Sequence, residues 1–185
     1  MKATPAILAF LLMLPSAAWA DDATSLFNQS NDAYRHGDFK NAIALSNQAL
    51  ALLTAPHPLR VGIIHLRAAA EARLEDFQAA IDDYDRELAE FNQLPDDMKT
   101  KFAVLTDGLL WERGLSKFYA GRYADALVDY DAALAANPHS TITLFDRAKC
   151  YVQLGRNDDA IKDLDAALAL DPTDKDASDL RAVLK

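Results

Sequence analysis

Hydrophobic and small residues recur in the second half of the chain at a constant interval. Segments 110–138 and 144–172 carry the same pattern, shifted by 34 residues. Apolar residues within each half of a segment follow helical spacing, and a glycine separates the two halves. Each segment is therefore predicted to form two helices joined by a turn. Ten positions correspond: Leu110 with Leu144, Gly114 with Ala148, Gly121 with Gly155, Tyr123 with Asn157, Ala126 with Ala160, Leu127 with Ile161, Tyr130 with Leu164, Ala133 with Ala167, Leu134 with Leu168, and Pro138 with Pro172.

The small residues of this pattern predict close packing between the two helices of each pair. Gly114 and Ala148 fall on the first helices, where a larger side chain would force the helices apart. Tyr130 and Leu164 on the second helices are the large residues that would fill the remaining space. Gly121 falls between the helices, where a left-handed backbone conformation is expected.

With this period and these residues at fixed spacing, the chain resembles the tetratricopeptide repeat family, whose helix-turn-helix units stack on one another. The resemblance implies an all-α, right-handed superhelical solenoid of about four repeats with a C-terminal capping helix. It also implies a concave face, formed by the first helices, that binds peptide segments.

Two weaker repeats are predicted before the well-matched pair. Ser46 stands in the first repeat where a large residue is usual. In the second repeat Glu75 replaces the turn glycine and Glu87 the late alanine. The predicted domain organisation is a cleaved signal peptide at 1–20 and a repeat domain at 21–185, with repeats at about 23–56, 59–94, 107–140 and 141–174, an insertion at 91–107 and a capping helix at 174–184.

The insertion lengthens the interval between the second and third repeats. Pro95 precedes two aspartates, a combination that favours the start of a helix. The segment predicts either a lengthened first helix in the third repeat or a short additional helix before it. In the capping helix, four apolar residues are predicted on one side: Ala177, Leu180, Val183 and Leu184.

The first twenty residues have the features of a secretory signal. Lys2 provides a positive start, Ile7 begins a short apolar run, and Ala18-Trp19-Ala20 forms a cleavage site of small residues. The alternative is a retained anchor or a buried helix, but the apolar run is shorter than the ~20 residues that span a bilayer. We therefore expect an exported bacterial protein, periplasmic or secreted, whose mature chain begins at Asp21 and does not insert into the membrane.

The charge of the chain makes nucleic acid an unexpected partner. Lysine and arginine total 19 against 28 acidic residues, for a formal net charge of −9. Such a chain repels phosphate groups. Aspartates recur with the repeats in pairs two residues apart, which point about 200° away from each other on a helix. We interpret them as a solvated face with local pairing, such as Asp82 with Arg86. The pairs are Asp83 and Asp85, Asp129 and Asp131, and Asp163 and Asp165.

Residues that could carry out chemistry do not form a recognised motif in the sequence. None of the four histidines has a His or Cys partner at metal-ligand spacing, and no nucleophile elbow or phosphate loop is present. We therefore predict a non-catalytic protein with no cofactor and no metal. Cys150 is the single cysteine. We expect it to be an inert buried thiol, the alternatives being a reactive thiol or an intermolecular disulfide.

The candidate binding residues follow from the resemblance, which places one face of each first helix in the concave groove. This face is aromatic and edged by basic residues, both of which contribute strongly to protein binding. A carboxylate clamp is not expected, because only Asn31 matches its pattern. Trp111 and Phe118 have an alternative role, packing against the neighbouring repeat or under the insertion. The predicted groove residues are Phe27, Asn31, Tyr34, Arg35, His65, Arg73, Trp111, Phe118, Tyr119, Phe145 and Lys149.

The function implied is a protein–protein interaction scaffold that binds a peptide segment of an envelope partner. Trp111, Phe118, Tyr119 and Phe145 would form an exposed aromatic floor, and the basic edge would favour an acidic segment. Two alternatives are a structural subunit of an envelope or secretion assembly and an accessory or inhibitory subunit of an enzyme. The sequence does not fix the oligomeric state.

Overall fold

The computed structural model describes residues 16–54, 57–102 and 106–184, and all regular structure within them is helical. The helices are α1 (Ser16–Arg35), α2 (Phe39–Leu52), α3 (Pro58–Arg73), α4 (Phe77–Asn92), α5 (Asp96–Phe102), α6 (Thr106–Tyr119), α7 (Tyr123–Ala136), α8 (Thr141–Gln153), α9 (Asn157–Leu170) and α10 (Lys175–Val183). The apolar segment and most of the predicted signal peptide lie outside the described residues. Helix α1 begins before the predicted cleavage site.

The helices form antiparallel pairs that stack in chain order. Helix α1 pairs with α2, α3 with α4, α6 with α7, and α8 with α9, and each pair then packs on the next. Helix α10 packs on α9. Of the two forms considered for the insertion, the structure shows the short additional helix, α5, which starts with Asp96 and Asp97 in its first turn. The prediction of an all-α solenoid of about four repeats with a terminal helix is confirmed.

The pairs are held together at the small positions that the sequence predicts. A Cβ atom added to Gly114 would lie 2.8 Å from Cε1 of Tyr130, which is too close for unstrained packing. In the last pair Ala148, Ala160 and Leu164 share one buried cluster. The missing large residue of the first pair is compensated by polar contacts, because buried Ser46 and Ser30 lie 2.9 Å apart at their hydroxyl oxygens.

The turns between paired helices use a left-handed residue. Gly37, Gly121 and Gly155 have φ angles of 80°, 75° and 71°. In the second pair the same position is Glu75, with φ 64°, a conformation that costs free energy for a residue with a Cβ atom. The chain therefore keeps the turn even where it lacks the glycine.

The recurring aspartates belong to a row of arginine–aspartate bonds. Within the second, third and fourth pairs, an arginine of the first helix bonds to a buried aspartate of the second helix. The same arginines of the third and fourth pairs, and Arg181 of α10, also bond to the exposed aspartate of the preceding pair. The contacts are Arg67 with Asp83; Arg113 with Asp129 and Asp85; Arg147 with Asp163 and Asp131; and Arg181 with Asp165.

The prediction of a solvated face is therefore correct for the second aspartate of each pair, which is exposed, and wrong for the first, which is buried. The first residue of each pair is buried because it bonds across to a facing helix, a contact that spacing along one helix does not reveal. The suggested local pair is also absent, since Arg86 lies 3.4 Å from Glu90 and Asp82 accepts a hydrogen bond from Gln78. The name arginine row is used below for Arg67, Arg113, Arg147 and Arg181 together with the aspartates that they bind.

The burial of side chains tests two further expectations, the inert thiol of Cys150 and the apolar side of α10. Cys150 has no exposed surface, and its burial raises the pKa of the thiol to about 12, so it stays protonated and unreactive near neutral pH. Ala177 is buried and Leu180 and Leu184 pack against the core. Val183, the last residue of α10, is however 76% exposed.

Candidate functional site

A cleft of about 830 Å³ opens between the first helices of the first three pairs. Its walls come from α1, α3 and α6, with part of α4. The lining is largely apolar and includes Phe27, Pro58, Leu59, Val61, Leu66, Leu88, Phe91 and Leu109. Polar groups at its surface include Asn31, His65, Glu87, Asp107 and Glu112. The cleft lies beside the end of α4 and the start of α6, the two helices that the insertion connects.

The predicted groove residues do not form one surface. Phe27, Asn31 and His65 line the cleft. Tyr119, Phe145 and Lys149 line a second hollow of about 370 Å³ between the third and fourth pairs. Whether any of them binds a peptide stays a prediction, but the structure separates them into two places.

Several of the predicted residues pack along the turns. Tyr34 contacts Phe39 edge-on at a ring distance of 5.4 Å, and Arg73 lies 5.4 Å from the centre of the same ring. Tyr119 occupies the position of Arg73 one pair later and stacks on Phe77 at 5.3 Å. The contacts of Arg73 and Tyr119 each tie the end of a first helix to the preceding pair. Arg35, at the end of α1, is exposed.

Trp111 is held by the neighbouring pair. Its indole nitrogen donates a hydrogen bond to Asp146, at 2.8 Å, and its ring packs against a buried cluster together with Phe118. Asp146 is itself buried and also accepts a hydrogen bond from Lys149. The Lys149 ammonium lies 4.9 Å from the centre of the Phe118 ring. Two residues of the predicted aromatic floor, Trp111 and Phe118, thus pack against side chains of their own chain. This packing is the alternative role that the sequence analysis gave them.

The groove-facing rings of the first three pairs each approach the following pair. A Cβ atom added to Gly62 of the second pair would lie 3.7 Å from Cζ of Phe27. His65 Nε2 lies 3.3 Å from Oε2 of Glu112 in the next pair, and Trp111 bonds to Asp146 in the same way. Phe145 and Leu180 pack on one core cluster. A polar ring nitrogen thus faces a carboxylate, while an apolar ring has an apolar neighbour.

His65 lies between two carboxylates in the cleft. Its Nδ1 is 3.1 Å from Glu87 Oε2, opposite the Glu112 contact. Burial acts to lower the pKa of His65, but the bond to Glu87 and the charges of Glu87 and Glu112 outweigh it and raise that pKa above its ordinary value. Burial raises the pKa of Glu87 as well. The two carboxylates favour the imidazolium form by their charge. Among the described residues, Oε2 of Glu112 is buried and accepts no hydrogen bond.

Sequence reasoning missed Glu87 and Glu112 as parts of this site. Glu87 stands where the third and fourth pairs have Ala133 and Ala167, and it is buried. A carboxylate at a position reserved for alanine signals that a basic partner faces it. That signal, together with His65 one helix earlier, could have identified the cluster.

The described part of the chain shows neither a metal-binding group nor a transmembrane helix. Within residues 16–54, 57–102 and 106–184, no three His, Cys, Asp or Glu side chains are placed to hold a metal ion. No helix in those ranges is both long and apolar enough to cross a membrane.

Comparison with known proteins agrees with this architecture. Residues 117–184 match the tetratricopeptide repeat family. Tetratricopeptide repeat protein 28 of Homo sapiens is 32% identical over 112 residues, which are 60% of this chain but only 4% of the human protein.

Solved structures share the fold at low sequence identity. A tetratricopeptide repeat protein from Parabacteroides merdae superposes with a TM-score of 0.75 and 22% identity, over 89% of this chain and 59% of that one. YrrB, described as a tetratricopeptide repeat protein with an unusual peptide-binding site, superposes with a TM-score of 0.70 and 19% identity, over 88% of this chain and 76% of that one. MamA from Desulfovibrio magneticus RS-1, from residue 41 to its end, superposes with a TM-score of 0.75 and 18% identity, over 89% of this chain and 84% of that one.

These findings define the class first: the chain is an α-helical repeat solenoid. Residues 117–184 match the tetratricopeptide repeat family, and the whole stack has the fold of tetratricopeptide repeat proteins. The fold supports a role as a protein–protein interaction scaffold, and proteins of this kind are generally non-catalytic.

Proposed function

We propose that this protein binds a segment of a partner protein in the cleft between its first three helix pairs. The observation that carries the proposal is the size and apolar lining of that cleft. Binding pockets for small ligands typically measure roughly 300–1,000 Å³, so this cleft has room for a few side chains of a partner. YrrB, which has the same fold, carries a peptide-binding site by its own description.

The cleft is favoured over the predicted aromatic floor for a physical reason. Trp111 and Phe118 already contact side chains of their own chain, so a partner would have to compete with those contacts. In the cleft, a Cβ atom added to Gly108 would meet nothing within 4 Å. Space for a partner side chain is therefore available there.

The substitution Gly108→Leu tests the proposal. It places a side chain in the cleft at a helical position that lacks a Cβ clash, so the fold should be kept and slightly stabilised, by about 0.5–1 kcal/mol. Partner binding should be lost. Proteins retained from an envelope extract by the wild type and by Gly108→Leu would be compared by quantitative mass spectrometry.

Ala132→Leu is the matched control. Ala132 is exposed on α7, outside the lining of the cleft. A partner retained by the wild type and by Ala132→Leu but absent with Gly108→Leu supports the proposal. If all three proteins retain the same partners, the cleft is not the binding surface.

We also propose that the protein acts outside the cytoplasm. The basic start, short apolar run and small-residue cleavage site at residues 1–20 support export. Mass spectrometry of the protein from an envelope fraction should then show a chain that begins at Asp21, whereas an intact Met1 terminus would contradict export by cleavage.

A further inference from the structure

The described lining of the cleft contains three carboxylates and neither lysine nor arginine. Among the described residues that line it, Glu87, Asp107 and Glu112 carry the carboxylates, and the two imidazoles are those of His57 and His65. Nδ1 of His57 accepts a hydrogen bond from the Leu59 amide. Of the basic residues expected at the groove edge, Arg73 lies over Phe39, Lys149 bonds to Asp146, and the exposed Arg35 is not part of the cleft lining. The cleft therefore has the opposite polarity to the one that the sequence suggested.

We propose that the partner segment is basic and amphipathic: it places a lysine or arginine side chain at Glu112 and Glu87, with apolar side chains beside it. This inference rests on the proposed function, because it specifies which chemistry the cleft selects.

The geometry of the carboxylates supports a cationic occupant. His65 lies between Glu87 and Glu112 and supplies at most one positive charge for the two. The Glu87 side chain is 7% exposed, whereas that of Glu112 is 30% exposed and accessible from the cleft. A carboxylate beside apolar walls is poorly hydrated, and an added ammonium or guanidinium group offsets that cost.

The apolar lining suits the rest of such a segment. Leu88 and Leu109 flank the carboxylates in the lining of the cleft, and the methylene stem of a lysine or arginine packs well on such side chains. Phe27 and Phe91, elsewhere in the lining, offer contacts to neighbouring apolar residues. An acidic segment would instead place like charges together inside a low-dielectric cleft.

The charge of the whole chain acts in the same direction. A formal net charge of −9 attracts basic partners and repels acidic ones during diffusion. The carboxylates of the cleft at short range and the net charge of the chain at long range therefore both favour a basic partner.

A positional library of acetylated and amidated octapeptides provides the probe. Purified protein would be applied to peptides in which one position is fixed in turn as each amino acid. We expect enrichment of lysine or arginine next to leucine or phenylalanine, and depletion of aspartate and glutamate. The strongest peptide would then be titrated by fluorescence anisotropy against the wild type and variants.

Glu112→Gln should weaken binding of that peptide by about tenfold, because it removes one charge of the pair while keeping the shape. Asp179→Asn removes the same charge at an exposed position of α10 and should change binding little. Added salt should weaken binding to the wild type more than to Glu112→Gln. Circular dichroism would confirm that each variant is folded.

The outcomes separate this inference from the proposed function. If peptides bind and Gly108→Leu abolishes binding, but basic residues are not enriched or Glu112→Gln binds like the wild type, the basic preference is wrong and the cleft remains the binding site. If no peptide binds, or if Gly108→Leu binds as well as the wild type, both proposals fail.

Discussion

At the scale of single residues, the turn of the second pair shows how far one position can depart from the repeat pattern. Glu75 adopts φ 64° where the other three turns have glycine. Its backbone makes the usual contacts, with the Glu75 amide donating to the Ala72 carbonyl at 3.1 Å and the Asp76 amide to Glu71 at 3.0 Å. The helices on either side therefore hold the residue in a conformation that it would not choose alone.

Glu75→Gly should stabilise the protein. A left-handed residue with a Cβ atom costs about 1–2 kcal/mol, while glycine loses about 0.5–1 kcal/mol more conformational entropy on folding. The net gain expected is about 0.5–1 kcal/mol, measured as a higher midpoint in chemical denaturation. Gly155→Ala makes the reverse change in the last pair and should lower the midpoint. Equal midpoints for Glu75→Gly and the wild type would mean that this turn is unstrained.

At the scale of helices, the sequence predicts contacts within a pair better than contacts between pairs. Gly114 and Tyr130 are found together because the repeat period places them at one crossing. The arginine row was missed because each arginine reaches the facing helix and often the preceding pair as well, so no single-helix spacing shows it. The cleft was missed for a related reason: His65, Glu87 and Glu112 come from three different helices.

The arginine row predicts that the two aspartates of one pair differ sharply in importance. The Asp129 side chain is 1% exposed and binds both Arg113 and Lys117. Asp129→Ala should cost about 3–5 kcal/mol, because it leaves two positive charges poorly compensated in a buried place. Asp131, two residues later, has a side chain that is 58% exposed and binds Arg147.

Asp131→Ala is thus the matched control, with an expected cost below about 1 kcal/mol. Chemical denaturation of the two variants measures the difference. The sequence alone predicts a solvated face for Asp129, where a substitution costs little. A similar small loss for both variants would support that prediction against the structure.

At the scale of the whole molecule, the pairs are joined by different contacts along the stack. The third and fourth pairs are linked by Arg147 with Asp131, a member of the arginine row. Between the first two pairs, Arg67 meets Asn47 instead of an aspartate. That junction also has Arg60, which pairs with Glu90 at 2.7 Å and donates to the carbonyl groups of Leu50 and Leu53.

Arg60 therefore fastens the C-terminal end of α2 to the second pair. Both partners of the Arg60–Glu90 ion pair have side chains only 8% exposed. Such a buried contact is costly to break, because the Glu90 carboxylate then keeps only the half-exposed Arg86, at 3.4 Å. In a repeat protein the loss stays local, since stability is close to a sum over pairs and their interfaces.

Arg60→Met should consequently loosen the first pair while leaving the last pairs intact. We expect hydrogen exchange to become at least about tenfold faster in residues 21–52, and to change little in residues 123–170. Arg86→Met is the control, because Arg86 contacts the same Glu90 at 3.4 Å from a side chain that is 47% exposed. It should leave exchange in residues 21–52 near the wild-type rate. Uniform acceleration in Arg60→Met would show that the solenoid opens as one cooperative unit, and an unchanged pattern would show that apolar contacts alone hold the first pair.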